Sequence, residues 1–283
     1  MNLPKGHLSP SQLNAWERCA IQYKIFTVEG AKAPPDFVLE AKRTTHEAIL
    51  EVDLKQKIES GKNLADSDLS EFYRARMESQ ALAVAREDPN IEDEPTKAVE
   101  TEIAFFDKIV EATRPWRSSV VPKQVEAVVK AEIGGVPVEG RLDLVAEDTL
   151  CEKIVDLKRQ GSAPSKGSAA NSRQLTTYAI ATGLLGVGLA AIVETQKPKI
   201  VTDDGIITTG MIERVAKQYQ VVAEEITDAI QKDRWKPVDI SDPRKSWICT
   251  ARFCSAWRIG SKDLLTGRDI SCAYGERSVV NSK

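Results

Sequence analysis

The chain has no leading apolar segment of the signal type and no apolar run long enough to span a bilayer, so a cytoplasmic protein is expected, with no membrane among its partners. It also lacks an excess of positive charge. Lys and Arg number 39 against 42 Asp and Glu, a formal net charge of −3. That balance excludes a protein that coats nucleic acid through its overall charge, so any grip on a polyanion has to be local. Internal repeats are absent. Cysteine is sparse, with five residues at positions 19, 151, 249, 254 and 272. In a reducing compartment such cysteines are ligands or buried fillers more often than disulfide partners.

What is present is enough for a large core. With 283 residues, 42% hydrophobic and 29% charged, the chain reads as one elaborated domain of the α/β class. Ser9-Pro-Ser-Gln12 offers an N-cap, a proline at N1 and a glutamine at N3, which predicts a helix to about Tyr23 with Leu13, Trp16, Ala20 and Tyr23 facing inward. Further helices are expected over roughly 36–58, closed by Gly61, and over 67–86. The acidic stretch Glu87 to Glu94 reads as the cap of a solvated corner. Residues 125–133, 136–147 and 152–159 read as a meander of three strands with a Gly134-Gly135 turn. Beyond it come a helix over 173–186, a strand over 188–196, a polar hairpin around Asp203-Asp204-Gly205 and a long helix over 210–232. The tail, 235–283, reads as irregular.

The chemistry concentrates in Gly140-Arg-Leu-Asp143 and Ile154-Val-Asp156-Leu-Lys158. Side chains alternate along a strand, so Asp156 and Lys158 share a face, and the short connection through Asp148 and Thr149 brings Asp143 to within about 5 Å of Asp156 on the neighbouring strand. Two hard oxygen donors at that separation suit Mg²⁺ or Mn²⁺. A cation held there would neutralise phosphate charge and activate water, with Lys158 orienting the water or stabilising the developing charge. A lone Asp-x-Lys triplet is more often a solvated ion pair. The flanking Leu142, Leu144, Ile154, Val155 and Leu157 raise its standing, because they bury charges that a strand pair would otherwise avoid. Lys158, Arg159, Lys166 and Arg173 are expected to surround this spot, and the small-residue loop Gly161 to Ser172 could close over a nucleic-acid backbone or be an ordinary solvated connection.

These residues resemble the PD-(D/E)XK nuclease superfamily, in its RecB-like exonuclease branch of phage exonucleases and CRISPR adaptation nucleases. Gln174-Leu-Thr-Thr-Tyr178 is similar to the branch's Q-x-x-x-Y motif, with Gln and Tyr on one helical face. His46, in Thr44-Thr-His-Glu-Ala48, resembles the histidine that completes the family's metal shell, and Glu126 a family glutamate of the first strand. Leu8 to Cys19 resembles the opening helix, which ends in a cysteine that in the family often ligates an iron–sulfur cluster. The matches run in order from residue 8 to about residue 255. Lys42 stands where the family usually has glycine, and Gly260 where it usually has its last cysteine.

The resemblance implies a restriction-endonuclease-like core with a mixed central sheet flanked by helices, a helical N-terminal part (1–100), a catalytic α/β core (120–232) and an irregular tail (233–283) packing back on the first helix. It implies a metal-dependent deoxyribonuclease, an exonuclease in recombination, repair or phage DNA metabolism. The implied catalytic residues are Asp143, Asp156, Lys158, Gln174 and Tyr178, and the implied Mg²⁺ or Mn²⁺ ligands are His46, Asp143 and Asp156. Cys19, Cys249, Cys254 and Cys272 would hold a [4Fe-4S] cluster, with a zinc site or buried thiols as alternatives. The implied partners are DNA ends and a helicase or recombination protein. The competing class is a non-cleaving accessory subunit that binds DNA ends on a nuclease fold.

Overall fold

The computed structural model describes residues 3–32, 35–88, 91, 94–147, 151–237 and 254. The chain forms two compact units, one of Met1–Pro34, Glu132–Glu139 and Ala216–Lys283, the other of Pro35–Ala131 and Gly140–Val215. Among the described residues, no helix is long and apolar enough to cross a membrane.

In the first unit, Ser9 and Gln12 build the expected capping box at the head of α1 (Pro10–Arg18). The helix does not continue to Tyr23. Cys19 is extended (φ −165°, ψ 113°), and the chain restarts as α2 (Ala20–Tyr23), which runs into a π-helical turn, Lys24–Val28. Leu13, Ala20 and Tyr23 are buried as their spacing predicts, and the Trp16 ring meets Tyr23 edge-on at 5.5 Å. Cys254 is buried against Ile25 and Ala31. Gly134 and Gly135 both have positive φ, the two-residue hairpin geometry that glycine adopts without strain. At Gly134 a Cβ would lie 2.4 Å from the Ala216 carbonyl oxygen, so no other residue fits.

The helices of the second unit are α3 (Phe37–His46), a π segment Glu47–Leu54, α4 (Lys55–Ser60), α5 (Asp66–Arg76), a π turn Met77–Ala81, α6 (Leu82–Glu87), α7 (Pro95–Ser119) and α8 (Arg173–Thr182). The two expected helical stretches are found to within two residues, each carrying a π insertion that residue periodicity did not reveal. Asp88 does not cap a solvated corner. It is buried, and its carboxylate accepts the Phe37 N–H that opens α3 at 2.8 Å. The 25-residue α7 was not foreseen, although Val99, Ile103, Phe106, Ile109 and Val110 are buried along one side of it. Helix α8 stops short of residue 186 because Gly183 turns left-handed (φ 78°).

Five strands follow the order β1 (Val121–Ile133), β2 (Val136–Glu147), β3 (Glu152–Gln160), β4 (Gly186–Val193) and β5 (Lys199–Ile206). β3 and β4 are parallel, whereas β2–β3 and β4–β5 are antiparallel, so the sheet is mixed. Asp203, Asp204 and Gly205 lie inside β5 and not in the expected hairpin turn, which falls earlier, between Val193 and Lys199. Helices cover both faces. Leu144, Val155, Leu157 and Ile192 pack with Leu50, Tyr73 and Phe106, while Val145, Ile154 and Val187 pack with Leu175 and Tyr178 of α8. A last helix, α9 (Thr209–Lys232), buries Val215, Tyr219, Val222 and Ile226 at helical spacing.

One buried ion pair ties the helices of this unit together. Arg117 of α7, 1% exposed, donates to Asp53 at 2.8 Å and to Asp66 at 2.6 Å. Asp53, wholly buried, also accepts from Asn63 and the Leu64 N–H. Arg117→Met is expected to cost about 3 kcal/mol, since it strands the Asp53 charge in the core. Arg117→Met combined with Asp53→Asn is expected to recover part of that loss in urea denaturation, and equal loss in both variants would contradict the assignment.

Candidate active site

The β2–β3 ladder ends at Leu144 opposite Val155. The next step in register sets Asp143 against Asp156, and there a side chain replaces the backbone partner: Asp143 Oδ2 accepts the Leu157 N–H at 2.8 Å. Asp156 is 3% exposed. Its Oδ1 lies 3.0 Å from Lys158 Nζ and accepts from Gln174 Nε2 at 3.0 Å. Lys158 also donates to Gln174 Oε1 at 3.2 Å, and Gln174 Nε2 lies 3.4 Å from the Tyr178 hydroxyl. That hydroxyl donates to the Arg141 carbonyl at 2.7 Å. The helix α8 that presents Gln174 and Tyr178 on successive turns is opened by Ser172, whose hydroxyl accepts the Leu175 N–H. Asp143, Asp156, Lys158, Gln174 and Tyr178 are thus brought into one connected set.

Burial pushes the Asp143 carboxyl up to about 6, against the pull of the Leu157 N–H and Lys158. Burial likewise raises Asp156 to about 6, with Lys158 opposing and Asp143 adding to the rise. The two carboxyls are close enough for one to hydrogen-bond the other, a contact in which a cation would take the place of a proton. Burial and the nearby Lys158 charge lower His46 to about 4, which leaves its imidazole neutral with a lone pair to offer at neutral pH. His46 feels the Asp156 charge and closes α3, one residue before the π segment.

Glu126 adds a third acid. Its φ of 53°, within β1, is unusual for a residue with a side chain. Burial raises its pKa, Arg141 Nη1 stands 3.4 Å away, and its charge acts on Asp143. Glu51 of the π segment, whose charge acts on Glu126, was missed in the sequence. It is five residues from His46, a spacing that α-helical periodicity does not align but a π segment does.

One expectation is corrected. Arg159 does not surround the site. It follows Lys158 by one residue, leaves the sheet on the other face and is buried in ion pairs with Glu102 at 2.6 Å and Glu194 at 2.8 Å. The small-residue loop is anchored on β5, since Asp203 accepts the N–H groups of Gly167 and Ala169 at 2.9 and 2.8 Å. Cys19 and Cys254 are buried in the first unit, and Cys249 and Cys272 lie outside the described residues.

Among the described residues, no three His, Cys, Asp or Glu side chains close into a metal cage. The donor chemistry nonetheless fits a divalent ion such as Mg²⁺. Magnesium is commonly bound through one or two carboxylates, with water and substrate phosphate filling its other positions. Two desolvated carboxyls facing each other with a single ammonium are short of positive charge, which a divalent ion supplies.

The same desolvation has a cost in stability. Folded Asp156 titrates near 6 against an ordinary value of 3.8, so between those values the folded chain binds more protons and stability falls as pH rises. Above both values the penalty is complete. Asp156→Asn is therefore expected to stabilise the metal-free protein by on the order of 3 kcal/mol at about pH 8 and by little near pH 3. Thermal unfolding in chelator at the two pH values checks it, and equal effects at both would contradict the cause.

The profile of the PD-(D/E)XK nuclease superfamily matches residues 7–259. No curated protein matches the chain. A crystal structure from Eubacterium rectale, provisionally described as an exonuclease, superposes with a TM-score of 0.50 at 12% identity, over 84% of this chain and 86% of that one, and so shares the fold. The crystal structure of SSO0001 reaches a TM-score of only 0.30 at 15% identity, over 74% of this chain and 91% of that one. With its mixed five-stranded sheet flanked by helices and a profile match across most of its length, the chain has the restriction-endonuclease-like fold and belongs to the PD-(D/E)XK nuclease superfamily.

Proposed function

We propose that this protein is a metal-dependent deoxyribonuclease, an exonuclease that hydrolyses phosphodiester bonds at DNA ends in recombination, repair or phage DNA metabolism. The observation that carries the reading is the buried pair Asp143 and Asp156 with Lys158 3.0 Å from the latter. Asp143, Asp156 and His46 would hold Mg²⁺ or Mn²⁺, the imidazole tilting preference toward Mn²⁺. When bound, the ion supplies neutralisation of phosphate charge and a water of lowered pKa. Lys158, with its side chain 40% exposed, reaches solvent and so can hold the attacking water or the charge developing on phosphorus oxygens. Gln174 fixes the ammonium from behind, and Tyr178 fixes Gln174 against the backbone of β2.

Lys158→Ala is expected to lower the cleavage rate of end-labelled DNA with Mn²⁺ by about 10²–10³-fold while leaving the fold intact. Asp143→Ala is expected to abolish Mn²⁺-dependent cleavage. Activity retained in both variants would rule the assignment out. DNA binding without cleavage by the parent would favour an accessory end-binding role. A metal ion must displace protons from Asp143 and Asp156, so Mn²⁺ affinity should hold above about pH 6 and fall below it. Calorimetric titration across that range reads the effect, and a pH-independent affinity would contradict it.

We further propose that Cys19 and Cys254, both buried in the first unit, join Cys249 and Cys272 around a [4Fe-4S] cluster. Protein purified without oxygen is then expected to be brown, with absorbance at about 400 nm that Cys19→Ser removes. A colourless protein carrying zinc, or none, would refute it.

A further inference from the structure

Arg159 is nearly as deeply buried as the site itself, at 8% exposure, yet it touches none of the reacting groups. Its guanidinium joins four elements. Nη1 lies 2.6 Å from Glu102 Oε1 of α7 and donates to Thr45 Oγ1 of α3 at 3.0 Å, and Nε lies 2.8 Å from Glu194 Oε1, just beyond β4. The guanidinium rests 5.3 Å from the Phe105 ring centroid. The Ala41 carbonyl, 3.5 Å from Nη1, also accepts from Thr45 Oγ1 at 2.9 Å and from the Tyr73 hydroxyl at 3.3 Å. Tyr73 reaches Glu102 as well, at 3.0 Å. Lys42 pairs with Glu194 at 3.5 Å and completes a balanced set of two bases and two acids.

These bonds to α3 fall on Ala41, Lys42 and Thr45, in the residues just before His46. One residue later the hydrogen bonding changes from α to π, where a slight rotation re-aims every following side chain. At its other end the clamp is β3, whose neighbouring residues Asp156 and Lys158 face the site. A buried ion network of this kind adds little net stability over well-packed apolar residues, so its placement calls for a positional reason.

We propose that Arg159 is a positioning residue that locks the last turn of α3 to β3 and thereby holds the His46 imidazole toward Asp156. The inference rests on the reading of His46 as a metal ligand. Arg159→Lys is the informative variant, because lysine keeps the charge and the stem but cannot reach Glu102, Glu194 and Thr45 together. In the full chain without metal, amide hydrogen exchange over residues 41–47 is expected to quicken about tenfold, with α8 and β4 unchanged. Unchanged exchange over 41–47 overturns the clamp whatever the metal does.

With Mn²⁺ followed by electron paramagnetic resonance, Arg159→Lys is expected to weaken affinity by about tenfold or more and to lower kcat with KM for DNA unaltered. Added to His46→Ala, it is expected to weaken Mn²⁺ binding no further, since a residue acting only through His46 has nothing left to position. Losses that add independently overturn the proposal. If His46→Ala alone binds Mn²⁺ as the parent does, the ligand reading of His46 fails, and the exchange experiment still decides whether Arg159 fixes the turn.

Discussion

The structure depends on two carboxylates placed where a sheet stops pairing. Asp143 and Asp156 stand opposite each other one step past the last regular β2–β3 pair, and Asp143 takes the Leu157 N–H that would otherwise be left by the ladder's end. Burial makes both acids reluctant to ionise, and the charge of Asp143 makes Asp156 more so. Such a pair is destabilising for the empty protein and becomes favourable once positive charge is supplied, the usual exchange between stability and function at a site.

Around that pair the fold places rigid elements. Gln174 and Tyr178 on α8 connect Asp156 and Lys158 to the backbone of β2, so the ammonium is held in a fixed geometry. From the other side, α3 delivers His46 at the junction with a π segment, and Glu126 holds a left-handed backbone in β1 beside Arg141. Irregular backbone occurs at the site, at the α3–π junction and at Glu126, as well as elsewhere in the chain.

Strand alternation was legible because it is local: Asp156 and Lys158 two residues apart share a face, and Gln174 and Tyr178 four apart share another. The capping box of Ser9 and Gln12 and the Gly134-Gly135 turn were legible for the same reason. The helix α7 was obscured by its many charges and an internal Pro115, and β5 by Asp203 and Asp204, which look like turn residues until Asp203 is seen holding the loop before α8. Arg159 misled because adjacency to Lys158 in sequence means opposition across a sheet.

By itself the sequence determined the α/β class, the pairing of Asp143 with Asp156 and the alignment of Lys158 with them, since the last two follow from period-two geometry and short connections. Only the tertiary structure decided that His46 stands near Asp156 across more than a hundred intervening residues, that Arg159 turns away to grip α3, and that burial lifts both carboxyls to about 6. Those outcomes depend on which surfaces meet and how much water they exclude, and neither is encoded in the spacing of residues along a chain.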